Sequence, residues 1–314
     1  MKPPSQLIAA IEMGGTKVVC GVGNRDHEML AVRRIETTTP DQTLASIAHW
    51  LHEMEAVHGP VAAMGIGSFG PVDLQPQSKT YGCITSTPKP GWQQTDVVGF
   101  FRSRFAVPVG FDTDVNAAVL AEHLWGAGPV FDPLIYITVG TGVGGGILVN
   151  GKLVHGVLHP EIGHLHVSPP LSSRALHPEC QCPFHRSCVE GYVSGSALAK
   201  RWGAPAHNLL RNDFVREEIA DVMALALMNL TLTLAPQRII LGGGVMQPEL
   251  LPLIRTRLIH HLNGYLPVSQ LGPGIHRFIV SPSLGIHSGL LGSLALGLRA
   301  LDQQHAETPP LFSR

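Results

Sequence analysis

The sequence carries little charge. Of its 314 residues 14% are Asp, Glu, Lys or Arg, 23 acidic against 22 basic, which leaves a formal net charge of −1. No block of like charge interrupts it. That excludes the basic footprint of a nucleic-acid binder and the polybasic face of a protein held on anionic lipid, and leaves partners that are small or uncharged in bulk. No apolar run reaches the length of a membrane span, and the opening MKPPSQLIAAIEMGG has neither the long apolar stretch nor the small-residue cleavage site of a secretory leader. The expectation is a soluble cytoplasmic protein. Cysteine is sparse and odd in number: Cys20, Cys83, Cys180, Cys182 and Cys188. In a reducing compartment clustered thiols hold metal more often than they form bridges, so disulfides are disfavoured.

Apolar residues make up 44% of the chain, and its length exceeds one compact core of average size, so two domains with high burial are expected. Apolar runs at Leu7–Ile11, Val18–Val22 and Met29–Ile35 predict an antiparallel three-strand start, followed by a helix over Gln42–Val57 and a strand over Ala62–Gly67. Further on, Asp96–Phe105 reads as a helix, Val107–Phe111 as a strand, and the chain from Thr113 as a helix. The pattern then restarts with a strand at Leu134–Val139, a glycine turn, and Ile147–Val149 joined by Asn150-Gly151 to Lys152–Val154, a two-residue hairpin signal. A long helix over Phe214–Leu234, a strand over Arg238–Leu241, a helix around Pro248–His261 and a last helix over Ile286–Leu301 complete it, with a polar, fraying tail from Asp302. No sequence repeat is present; the duplication is one of pattern.

Four stretches can carry chemistry. In Glu12-Met13-Gly14-Gly15-Thr16-Lys17 consecutive glycines let backbone N–H groups approach phosphate, Thr16 adds a hydroxyl and Glu12 offers a carboxyl to hydrated Mg²⁺; an ordinary hairpin turn explains the same residues. The spacing is not that of a Walker A loop. Gly140-Thr141-Gly142-Val143-Gly144-Gly145-Gly146 contains Gly-x-Gly-x-x-Gly, but a strand and hairpin follow it where a dinucleotide fingerprint requires a helix. Such a loop fits phosphates wrapped by a strand-turn-strand element. In Asp112-Thr113-Asp114-Val115-Asn116, Asp112 or Thr113 serves as a helix N-cap, Asp114 can accept a proton from a hydroxyl nucleophile, and Asn116 can orient the helix start or a ligand.

The fourth stretch joins His159-Pro160-Glu161-Ile162-Gly163-His164 to the cluster CQCPFHRSC at 180–188. His164, Cys182, His185 and Cys188 form a four-ligand set of the structural zinc type, and Glu161 and Glu190 flank it, so folding the loop would bring both carboxylates near one another. A zinc-finger module is disfavoured by the neutral charge and by the enzyme-sized chain around the cluster.

Together these stretches resemble the ROK family of sugar kinases, within the superfamily of actin-like and hexokinase-like ATPases, from about Ile8 to about Leu298. Six motifs stand in family order: Glu12–Lys17, Gly65–Asp73, Thr113–Asn116, Pro160–His164, Cys182–Glu190 and Leu241–Val245. The Cys-x-x-His-x-x-Cys form, with Thr87–Trp92, is similar to the bacterial zinc-containing fructokinases. The resemblance implies an α/β fold with two lobes, each a mixed sheet flanked by helices in the ribonuclease H-like manner. It divides the chain at about residue 115, with a helix near 286–302 completing the N-terminal lobe and a zinc-binding loop at 159–190 in the other. It implies ATP-dependent phosphorylation of fructose at the 6-hydroxyl, or of mannose, glucose or N-acetylmannosamine in a sibling enzyme.

By the same resemblance Asp114 is the general base, and Gly70, Pro71, Asn116, Glu161, His164 and Glu190 surround the sugar. Gly14, Gly15, Thr16, Lys17, Thr141, Gly142, Gly242, Gly243 and Gly244 surround ATP, with Mg²⁺ as cofactor, a structural zinc and a homodimeric assembly. Glu12 stands where the family usually has Asp, Thr113 where many relatives have Asn, and Cys182 is preferred to Cys180 as ligand by family spacing alone. The repressor branch of the family carries a DNA-binding domain before the first motif; only 11 residues precede Glu12 in this sequence.

Overall fold

The computed structural model describes residues 6–168 and 179–307. The described chain divides into two compact units. One takes the residues up to Ala121, then His155–His159, then those from His287 onward; the other takes Glu122–Val154 and Pro160–Ile286. The expected cut at residue 115 lies earlier than this division, and the short return at His155–His159 was not foreseen. The reason is local to the helix that follows Thr113: its Ala117 packs against Gly292 of the first unit, whereas the buried Glu122 accepts hydrogen bonds from Ala127, Ser283 and Leu284 of the second.

The first unit begins with β1 (Leu7–Met13), β2 (Lys17–Gly23) and β3 (Met29–Glu36), then α1 (Pro40–His58), β4 (Val61–Ser68), the small pair β5 (Cys83–Ile84) and β6 (Thr95–Asp96), α2 (Val97–Phe105), β7 (Val109–Thr113) and α3 (Asp114–Trp125). Its main sheet runs β3-β2-β1-β4-β7, antiparallel from β3 to β1 and parallel from β1 to β7. β1 is apolar from Leu7 to Ile11 without alternation because both its faces are covered. Leu7, Ala9 and Ile11 join Leu44, Ile47 and Leu51 of α1 in one core, while Ile8 and Ala10 meet the chain's last helix on the other face. β7 starts at Val109, two residues later than expected: Pro108 has no N–H to give the ladder. It ends later as well, because Asp112 and Thr113 still pair with Gly67 and Ser68.

The second unit repeats the scheme with β8 (Leu134–Val139), β9 (Val143–Val149), β10 (Lys152–Leu153), α4 (Val189–Val193), α5 (Gly195–Trp202), α6 (Ala206–Leu209), α7 (Asp213–Leu234), β11 (Arg238–Gly242), α8 (Leu250–Leu262), α9 (Ile275–Phe278) and β12 (Ile279–Val280). The sheet order β10-β9-β8-β11-β12 again has two antiparallel strands leading into parallel ones. α7 starts on an Asn212 cap whose side chain accepts from Phe214 N at 2.9 Å, and it buries Ile219, Met223 and Leu227 in a core shared with Ile135, Ile137 and Ile239. β9 begins at Val143, so Gly144, Gly145 and Gly146 belong to a strand and not to the expected phosphate loop.

The last helix, α10 (Ser288–Glu307), returns to the first unit. It continues past Leu301, where a polar tail was expected, and Asp302 pairs with Arg25 at 2.8 Å; the rest of that expected tail, residues 308–314, lies outside the described residues. Among the described residues no helix is long and apolar enough to cross a membrane.

α10 lies directly on β4. A Cβ at Gly65 would sit 1.7 Å from the Ser293 carbonyl oxygen and 2.4 Å from Gly297 N, backbone atoms that cannot rotate away. Gly65→Ala is therefore expected to cost at least about 3 kcal/mol or to prevent folding, whereas Gly15→Ala, which meets nothing within 4 Å, should leave the unfolding midpoint within a degree or two of wild type by calorimetry.

Candidate active site

In the first unit the junction of β7 and α3 gathers polar groups at a buried strand end. Thr113 Oγ1 accepts from Asn116 N at 3.1 Å and so caps α3. Asp112, 3% exposed, works differently from a cap: its Oδ1 accepts from Thr113 N at 2.8 Å and from Asn116 Nδ2 at 2.7 Å, and its Oδ2 lies 2.9 Å from His155 Nε2. Asp114, the first helical residue, is half-buried and accepts from Val115 N at 2.9 Å. A Cβ on Gly67 would approach its Cα to 3.2 Å, so a glycine in β4 is what lets Asp114 sit where it does. Asn116 is fully buried, and its Oδ1 has no hydrogen-bond partner.

The Gly14–Lys17 turn joins β1 to β2 through Gly14 N donating to Lys17 O at 2.9 Å, with Thr16 and Lys17 exposed. The hairpin reading and the phosphate reading thus share one geometry. Glu12, which precedes the turn, packs its carboxyl against Gly289 of α10. Burial raises its pKa to about 7, against the opposing pull of Lys17.

Gly70 and Pro71, joined by a cis peptide, lie on the same unit. A Cβ on Gly70 would lie 3.4 Å from the His159 ring, and His159 Nε2 accepts from Val72 N at 3.1 Å. Trp92 of the Thr87–Trp92 stretch is wholly buried, donates to Thr38 O at 2.8 Å and packs edge-on to Phe69 at 5.3 Å. Its place is in the core.

In the second unit the glycine stretch serves packing as much as openness. Glu190 Oε2 accepts from Val143 N at 2.8 Å, and a Cβ on Gly142 would meet that oxygen at 2.7 Å. On Gly145 a Cβ would meet Ile162 at 2.3 Å, and on Gly163 the Val143 carbonyl at 2.1 Å. Glycine is required at these positions so that the segments carrying Glu161 and Glu190 can close on β9. Glu161 feels the result: burial first, and the like charge of Glu190 second, push its pKa from the ordinary 4.5 to about 7.

Thr141 stays exposed, and Gly140 and Gly244 face open space. Gly243, at φ 96°, packs on the Val139 backbone, while Val245 N donates to Val139 O at 2.9 Å. The Thr141-Gly142 loop and the Gly242–Gly244 turn thus meet at the C-terminal ends of parallel β8 and β11. Sequence reasoning missed the start of α5 here: Gly195 N donates to Gly140 O at 2.7 Å and Ser196 Oγ to Thr141 O at 2.6 Å. The signal was Ser194, whose side chain caps α5 by accepting from Ala197 N at 3.1 Å.

His164, Cys182, His185 and Cys188 bring one ligand atom each within 4.8 Å of one another. Cys182 Sγ is 3.3 Å from His185 Nδ1 and 3.8 Å from His164 Nδ1, and Cys188 Sγ is 3.9 Å from His164 Nδ1. Tetrahedral zinc with two thiolates and two imidazoles separates its ligand atoms by roughly 3.3–3.8 Å, so the donor set fits that ion. With Nδ1 turned to the sulfurs, Nε2 is the atom of His164 left for a second role. Cys180 Sγ lies 3.9 Å from Cys188 Sγ, and a Cβ on Gly191 would reach it at 2.1 Å.

The ROK family model matches residues 8–300. The chain is 40% identical over 305 residues to a putative fructokinase of Bacillus subtilis, covering 96% of this chain and 98% of that protein. Against a fructokinase of Zymomonas mobilis it is 40% identical over 309 residues, covering 96% and 99%. Among solved structures it is similar to a ROK hexokinase from Thermus thermophilus, with a TM-score of 0.75 at 25% identity over 95% of this chain and 100% of that one. A ROK glucokinase from Streptomyces griseus, solved with glucose and AMPPNP, superposes with a TM-score of 0.74 at 25% identity over 93% and 99%.

The raised Glu161 value has a consequence for stability. Between its unfolded 4.5 and its folded value of about 7 the native state holds a proton that the unfolded chain has released. This group's contribution is therefore present below pH 4.5 and lost as pH rises through 7. Wild type should lose thermal stability relative to Glu161→Gln between about pH 5 and about pH 8, measured by calorimetry in ligand-free protein. Parallel curves would show that Glu161 titrates as an ordinary carboxyl.

Proposed function

The chain belongs to the ROK family, and from that premise we propose that it transfers the γ-phosphoryl group of ATP to the 6-hydroxyl of fructose, giving fructose 6-phosphate. The observation that carries the choice of sugar is the 40% identity, over 96% of the chain, to proteins named fructokinase. Its fold is the mixed α/β, actin-like ATPase type of the ROK kinases.

Phosphoryl transfer asks the protein chiefly for positioning and for neutralised charge. Asp114 is assigned as the base that takes the proton of the sugar hydroxyl as its oxygen bonds to phosphorus. What supports it is a half-buried carboxyl at the start of α3, pinned from behind by Gly67 and flanked by the Asp112–Asn116 hydrogen bonds. Gly70, Pro71, Asn116, Glu161, Glu190 and the Nε2 of His164 are assigned to the sugar, with the carboxylates accepting from its hydroxyls. Asn116 enters with its unpartnered Oδ1.

The Gly14–Lys17 turn, Thr141, Gly142 and Gly242–Gly244 are assigned to ATP. Support comes from the open space at Gly15, Gly140 and Gly244 and from the exposed Thr16, Lys17 and Thr141. Mg²⁺, when bound with the nucleotide, neutralises charge on the phosphate oxygens; Glu12 is the carboxyl proposed for it. Zinc held by His164, Cys182, His185 and Cys188 would have no open position and would fix the loop that carries Glu190. A cytoplasmic homodimer without nucleic-acid or membrane partners completes the proposal, resting on the family resemblance and on a net charge of −1.

Initial rates with fructose, mannose, glucose and N-acetylmannosamine at equal ATP-Mg²⁺ test the reading. Fructose should give the highest kcat/KM, by roughly tenfold to a hundredfold, because a sugar lacking one matched hydroxyl leaves a buried polar group unpaired. Glucose or N-acetylmannosamine ahead by tenfold would move the assignment to a sibling kinase. Asp114→Asn should retain sugar binding while kcat falls by roughly 10²–10⁴; near-normal turnover would remove Asp114 from the chemistry. Purified protein should contain about one zinc per chain, and Cys188→Ser should lose both metal and thermal stability. Active protein free of zinc would refute that part.

A further inference from the structure

Residues His155–His159 interrupt the second unit in sequence and belong to the first. Three hydrogen bonds hold them there: His155 Nε2 to Asp112 Oδ2 at 2.9 Å, Gln75 Nε2 to the Gly156 carbonyl, and Val72 N to His159 Nε2 at 3.1 Å. The first does more than tether. Asp112 is 3% exposed and arranges the opening of α3 through its other oxygen, which receives Thr113 N and Asn116 Nδ2. A carboxylate only accepts, so Nε2 of His155 must carry the proton in this pair. Among the described residues it is the hydrogen-bond donor to Oδ2.

Without that donor a buried carboxylate oxygen is left bare. The carboxyl must then rotate or take a proton, and either change disturbs the two hydrogen bonds that bracket Asp114. We infer that His155 is a positioning residue for the reaction, holding Asp112, and through it the first turn of α3, so that Asp114 is presented in register. The inference rests on the reading of Asp114 as the base.

Arg299, on α10, and Tyr81 both interact electrostatically with Asp112, and Asn116 Nδ2 lies 3.4 Å from His155 Nε2. The hydrogen bond to Asp112 raises the pKa of His155, with burial opposing. The His155 side chain is 38% exposed, open enough for a small molecule to take its place.

His155→Ala should lower kcat by roughly tenfold to a hundredfold, a larger factor than the rise in KM for the hexose that a shifted Asn116 brings. His155→Gln, which returns an N–H donor, should recover most of kcat, and so should imidazole added to His155→Ala. A His155→Ala enzyme within twofold of wild-type kcat, or a loss that neither glutamine nor imidazole repairs, would overturn the inference. Proton NMR of the histidine rings gives a reading independent of activity. The His155 resonance, assigned from its loss in His155→Gln, should titrate above the ordinary histidine range in wild type and return towards it in Asp112→Asn. An ordinary titration in wild type refutes the pairing. Wild-type protein inactive on every hexose would count against the proposed function, and the NMR titration would still decide the pairing.

Discussion

A single buried hydroxyl and the glycines around it hold the first unit together. Ser293, fully buried in α10, reaches the Ile11 carbonyl of β1 at 2.9 Å and accepts from Gly67 N of β4 at 3.2 Å. These backbone groups lie away from water, so each needs a partner inside the protein. The contact exists only because side chains are missing from it: a Cβ on Gly65, Gly110, Gly292 or Gly297 would strike backbone of the facing element. Gly292 receives Ala117 of α3, one turn beyond Asp114, and Gly67 supports Asp114 from β4. The place of the proposed base is therefore inherited from the seating of a helix more than 170 residues later in the chain.

The second unit solves its packing in a related way, with a chemical by-product. Glycines at 142, 145 and 163 let the chain around Ile162 and Glu190 press onto β9. The close approach excludes water from Glu161 and sets it within electrostatic range of Glu190. Desolvation that costs stability at high pH is also what makes carboxylates good acceptors for neutral hydroxyls, since the hydrogen bonds they gain there are not matched against bulk water. The thiol and imidazole cluster lies in the same unit, with His164 three residues after Glu161 and Cys188 two before Glu190. A metal there would hold both segments at once.

Much of this is legible in the sequence. Continuous apolar runs marked β1, β8 and β11, Asn150-Gly151 marked the β9–β10 hairpin, and the glycine stretch at 140–146 failed as a dinucleotide site because a strand follows it. Errors fell where a neighbour far along the chain decides the outcome. Gly144, Gly145 and Gly146 looked like loop because a strand of glycines has no local preference to be a strand; pairing with Thr138, Ile137 and Tyr136 of β8, respectively, makes it one. Trp92 drew notice as part of a motif, yet its burial and its bond to Thr38 explain its presence. His155 drew no notice at all, since a lone histidine after a hairpin carries no local signal and its partner lies 43 residues away.

The sequence by itself determined the order of the main strands and helices, the doubled strand-turn-strand pattern, and the chemical identity of the candidate ligands and carboxyls, because periodicity and ligand spacing are local properties of a chain. Tertiary structure alone decided which glycines are free and which are filled by a neighbour, that the short segment at 155–159 joins the first unit, and that Glu12 and Glu161 titrate near neutrality. Those outcomes depend on desolvation and close approach between residues distant in sequence, and neither exists until the chain has folded.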